Sequence, residues 1–86
     1  MTCRIDSMLI EQGVVLRISG RIAGQDLDVL RNALEDGSVV ALDLTEVELA
    51  DRDAVTLLAR TETDGIALRH CPAYIREWVT RERDGN

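Results

Sequence analysis

Two apolar-rich runs open the chain within CRIDSMLIEQGVVLRISGRI. In the second, Leu16 and Ile18 alternate with Arg17 and Ser19, the period of a strand with one buried face. The runs meet at Gln12-Gly13, a turn signal, so Cys3 to Ile22 reads as a hairpin. Gly20 and Gly24 punctuate the exit from its second strand. The period then changes. In GQDLDVLRNALEDG, Leu27, Leu30 and Leu34 fall at i, i+3 and i+7, one face of a helix. Asp26 and Asp28 suit its positive end, and Gly37 its other end. VVALDL, Val39 to Leu44, is short, apolar and β-branched at its start, the composition of a buried strand.

A second helix is expected from Asp51 to Gly65. The Asp51 carboxylate can accept the free N–H groups of the first turn. Ala54, Leu57, Leu58 and Thr61 define its inner face. Ile66 to Arg69 reads as a short strand. CPAYIREWVTRER reads as a third helix, with Pro72 in its first turn, where a missing N–H costs nothing. Its packing stripe is Ile75, Trp78 and Val79, and residues 83–86 are expected to fray. The order ββαβαβα predicts an α/β fold: a mixed sheet of about four strands packed with three helices, at least one face covered.

Composition narrows the class of protein. With 86 residues the chain has room for a single domain, 1–86, and such a domain buries roughly 60% of its unfolded surface. Phe is absent, and Tyr74 and Trp78 are the only aromatic residues, so the core must be aliphatic. Net charge is -6 and every basic side chain is an arginine, which argues against nucleic acid as the main partner. No run approaches the ~20 apolar residues of a membrane span, and no apolar signal segment precedes the domain. A reduced, cytoplasmic protein is expected. A pocket that encloses a substrate is hard to fit into so small a domain.

The candidate chemistry is sparse. His70-Cys71 invites a zinc reading with Cys3, but the spacing matches no zinc motif, and a strand-end His beside a small buried or capping Cys is the plainer account. A Cys3–Cys71 disulfide requires the two ends to meet, which spacing leaves open. Asp43 and Asp51 read less as an acid/base pair than as a strand end and a helix cap. Without a Ser/His or Cys/His arrangement or a Gly-rich phosphate loop, no catalysis and no cofactor are expected. Arg52, Thr56 and Arg60 follow i, i+4, i+8 and share one exposed helix face. They suit an acidic partner or an anionic ligand. The alternative is a solvated face balanced by Asp53, Glu62 and Asp64. Arg76, Arg81 and Arg83 on the third helix offer a lesser site of anionic contact.

The run VVLRISGRI, the leucine helix, VVALDLTEVELADRDAVTLLAR and GIALR together resemble a STAS domain over residues 13–70. That family includes bacterial anti-sigma factor antagonists and a domain of sulfate transporters. In the antagonists the matching loop reads Asp-Ser-Ser-Gly or Asp-Ser-Thr-Gly, and the partner kinase phosphorylates the first Ser. Asp51 matches the family's Asp. Arg52 stands at the phosphoacceptor position, Asp53 at the second Ser or Thr, and Ala54 at the Gly. The resemblance therefore implies a non-catalytic module that binds a regulatory protein, such as an anti-sigma factor or kinase-like protein, through Asp51, Arg52, Asp53, Thr56 and Arg60, without a serine switch. Alternatively it implies an accessory STAS domain for a small ligand or a lipid-transport machine, or a structural domain without switching. The chain's third helix follows its last strand sooner than in typical members, which leaves apolar surface for a second copy to cover.

Overall fold

The computed structural model of the chain describes residues 3–35 and 37–84. The opening hairpin pairs β1 (Cys3–Ile10) with β2 (Gly13–Ile22) antiparallel, in register from Cys3↔Gly20 to Ile10↔Gly13. Gly13 is required at the turn. Its φ is +145°, and a Cβ there would lie 2.5 Å from the Ser38 carbonyl oxygen. That oxygen accepts the Val14 N–H at 2.9 Å.

From β2 the chain passes through a single 3-10 turn (Gly24–Asp26) into α1 (Leu27–Leu34). It returns as β3 (Val39–Ala50), crosses by α2 (Arg52–Thr63) to β4 (Ala67–Arg69), and ends in α3 (Ala73–Asp84). The sheet order is β1-β2-β3-β4, with β2, β3 and β4 mutually parallel. This is the mixed α/β sheet that the periodicities predict. The buried apolar residues of all three helices join one cluster with the inward residues of the strands, among them Ile18, Leu42, Leu44 and Leu58, each 0% exposed. Val15, Arg17, Ala41 and Asp43 alternate onto the other side of the sheet, and neither Val15 nor Ala41 belongs to that cluster. The helices thus cover one face. Among the described residues, no helix is long and apolar enough to cross a membrane.

Several elements differ from the sequence reading. β3 does not stop at Leu44; it runs to Ala50. Beyond Asp43 its register with β2 slips twice, since Arg17↔Asp43 is followed by Ser19↔Glu46, and Gly20↔Val47 by Arg21↔Leu49. Each slip is a bulge with an extra residue on β3. The inward residues Leu44, Val47 and Ala50 are consequently three apart, and the alternation that marks a strand disappears. Asp43 is therefore in mid-strand and does not end it. Gly20 also lies inside its strand, at φ +87° beside the second bulge.

Trp78 is not a core residue. It is 46% exposed, whereas Ile75 and Val79 are fully buried. α3 is an outer helix whose apolar stripe is only wide enough for an i, i+4 pair, and Trp78 falls on its flank. Pro72 precedes α3, and its carbonyl accepts the Arg76 N–H at 2.9 Å. The last strand begins at Ala67, one residue later than expected. The frayed end expected over 83–86 is helical through Asp84; Gly85 and Asn86 lie outside the described residues. Cys3 is in β1, and Cys71 follows β4 at the opposite edge of the sheet. Strands are about 4.8 Å apart, so two intervening strands separate the thiols by on the order of 14 Å, beyond disulfide reach. Both are free, and burial raises the pKa of each.

Candidate functional site: the rim at the start of the second helix

Parallel β2 and β3 end side by side, at Ile22 and Ala50, which pair in register. Their outgoing loops are therefore neighbours at the carboxyl end of the sheet, where open α/β sheets commonly place binding surfaces. Asp51 joins the two loops. Its N–H donates to the Ile22 carbonyl at 3.0 Å. One carboxylate oxygen accepts the Ala54 N–H at 2.9 Å and so caps α2. The other accepts the Gly24 N–H at 2.8 Å. Asp26 fastens the first loop from within, its carboxylate accepting the Ala23 N–H at 3.1 Å. The expected cap is present, and it also acts as a tie to Gly24 that no local pattern announces.

Arg52, Thr56 and Arg60 lie exposed along α2, with Asp51 and Asp53 exposed at its start. Arg52 brings a positive charge to a rim that otherwise holds Asp26, Asp51 and Asp53. The Thr56 hydroxyl donates to the Arg52 carbonyl at 3.1 Å and lies 3.4 Å from a carboxylate oxygen of Glu82. Among the described residues no salt bridge reaches Arg52 or Arg60. Glu62, expected to help balance this face, is turned toward α3. Its oxygens accept two N–H bonds from Arg76, at 2.9 and 3.0 Å, and one from Arg83 at 2.7 Å. The Arg76 bonds, then those of Arg83, hold the Glu62 carboxyl below its ordinary pKa against an opposing effect of burial. Arg76 and Arg83, expected to offer anionic contact, are thus engaged within the molecule; Arg81 pairs with Glu77 at 2.7 Å.

Two open grooves flank α2. One, of about 410 Å³ between α1 and α2, is lined by Leu34, Leu57 and Ile66 together with Arg31, Arg60 and the acidic Glu35 and Asp64. The other, of about 520 Å³ between α2 and α3, brings Arg52 and Val55 against Trp78, Arg81 and Glu82. Trp78 is the site residue that sequence reasoning missed. Its size suggested the core, and nothing in its spacing distinguished flank from centre.

Asp43 and Asp51 share no partner. Asp43 accepts the Thr45 hydroxyl at 2.6 Å, the Thr45 N–H at 3.0 Å and an Arg17 N–H at 3.4 Å, on the face away from the helices. Its pKa is lowered, first by the Thr45 hydroxyl, with the Thr45 N–H and Arg17 adding against burial. His70 follows β4 in a left-handed turn, φ 55°. Among the described residues no group of three His, Cys, Asp or Glu could hold a metal ion. The Asp51 carboxylate accepts two backbone N–H groups, and the Asp43 carboxylate accepts both the hydroxyl and the N–H of Thr45. Compared with known proteins, the chain matches no family model and no curated sequence.

Proposed function

We propose that this chain is a non-catalytic protein–protein interaction module that works as an anti-sigma factor antagonist does, docking a regulatory partner against the start of α2. The observation that carries the reading is Asp51, whose two carboxylate oxygens fix the loops after β2 and β3 into one rim. On that rim and along α2, Arg52, Asp53, Thr56 and Arg60 remain exposed. A preformed surface loses little freedom on binding, and its charges set orientation and rate of encounter.

The serine switch is absent from this module. A phosphate adds about -1.5 to -2 charge and three acceptor oxygens; Arg52 has no hydroxyl and carries the opposite sign. Binding is then constitutive and set by abundance. Titration calorimetry against anti-sigma factors and kinase-like proteins encoded beside this gene tests the reading. Arg52→Glu with Arg60→Glu is expected to weaken binding at least about ten-fold. Unchanged binding by that variant, or stoichiometric phosphate on residues 51–56 after incubation with kinase and ATP, overturns it.

A further inference from the structure

Two rows of side chains cross the face of the sheet that the helices leave bare. In the first, Asp6 pairs with Arg17, Arg17 with Asp43, and Asp43 with Arg69. Strand by strand, its charges read minus, plus, minus, plus. In the second, one pleat away, Met8 pairs with Val15, Val15 with Ala41, and Ala41 with Ala67. Its sizes read large, large, small, small. Val15 and Ala41, 3% and 0% exposed, form a floor between flanking side chains. Met8 is 39% exposed, the side chains of Asp6 and Arg17 are each 46% exposed, and Ala67 and Arg69 are exposed.

Both rows become their own complement when reversed. A two-fold axis parallel to the strands, between β2 and β3, lays β1 of a second copy over β4 and its β2 over β3. Asp6 then meets Arg69 of the second copy, and Arg17 meets its Asp43. In the other row the exposed Met8 meets the exposed Ala67, large over small, while Val15 and Ala41 lie beneath as the covered floor of each face. A two-fold axis along the rows instead sets every charge over its own kind, which is disfavoured. We propose that this bare face pairs with the same face of a second copy of the chain.

The geometry is that of aligned sheet packing, with faces about 10 Å apart, a gap that interdigitating side chains fill. Three strands of about 26 Å and the three-residue β4 of about 10 Å, spaced about 4.8 Å apart, give a face of about 420 Å² per copy, about 850 Å² for the pair. That is below the usual size of specific interfaces, so the dimer is weak and concentration-dependent. Arginine stems contribute apolar cover while their guanidinium groups pair. The interface is on the opposite side of the sheet from the start of α2, so pairing and partner docking succeed or fail separately.

Sedimentation equilibrium over a concentration series up to about 1 mM tests the proposal. The weight-average mass is expected to climb from that of one chain toward two, and less steeply in high salt, where exposed charges are screened. Asp6→Arg and Arg69→Asp are expected each to lower association at least about ten-fold, by setting like charges together. Asp6→Arg combined with Arg69→Asp restores opposite pairs and is expected to restore association. Circular dichroism melting on each variant verifies that the fold is retained. A single mass at every concentration, or a double variant no better than either single one, overturns the proposal.

Discussion

Asp51 is the residue on which the rim depends. Asp51→Ala leaves the Ala54 and Gly24 N–H groups without their acceptor. The expected loss is about 1–3 kcal/mol, seen as a lower urea midpoint with little change in slope. Thr56→Ala, which removes one exposed hydroxyl from the same helix, is expected to stay within about 0.5 kcal/mol in the same titration. Half of Asp51's role was legible in the sequence. Capping is local chemistry, and an Asp just ahead of an apolar-periodic run announces it. The bond to Gly24 spans 27 positions, and it exists only because two parallel strands end together. The exposure of Arg52, Thr56 and Arg60 was legible too, since spacing on a helix fixes which side chains share a face.

Where whole strands and helices are concerned, the sequence was most informative when the period held. α1 buries Leu27 and Leu30 of the leucines that its spacing selects and half-buries Leu34, and in α2 Ala54, Leu57, Leu58 and Thr61 all face inward as read. The second half of β3 was illegible because two bulges space its inward residues like those of a helix. Trp78 was misplaced for a different reason. Positions i+3 and i+4 both suit a packing stripe, and only contact with α2 decides between them. A reversal of the usual size order follows. Ile75→Ala is expected to cost about 2–5 kcal/mol, because it empties a closed site. Trp78→Ala, though it removes more atoms, is expected to cost about 1–2 kcal/mol, because nearly half of the side chain is already in water. Chemical denaturation of the two variants side by side checks the order.

The molecule as a whole is fastened by few ionic contacts, and they predict how it responds to acid. Glu62 holds α2 to α3 through Arg76 and Arg83, and Asp43 holds Thr45 and Arg17 on the bare face. Both carboxyl groups have folded-state pKa values below their ordinary ones. The stability they contribute is therefore present above about pH 4, where the unfolded chain ionises, and is lost as pH falls through the lower folded values. The arginines concerned are more than a third exposed, which screens the pairs. Glu62→Gln is thus expected to cost about 1–2 kcal/mol near neutral pH and progressively less as acid protonates the Glu62 carboxylate. Urea midpoints of the two proteins across that range should converge on acidification.

The spatial order of the strands repeats their order along the chain. Each new strand is added at an outer seam, and none has to be threaded between two that are already joined. A nascent chain leaving the ribosome amino end first can close its hairpin before any helix exists, then lay down the third and fourth strands in turn. At every stage of synthesis the unclaimed sides are the outer one of the first strand and that of the latest arrival, so assembly can keep pace with translation.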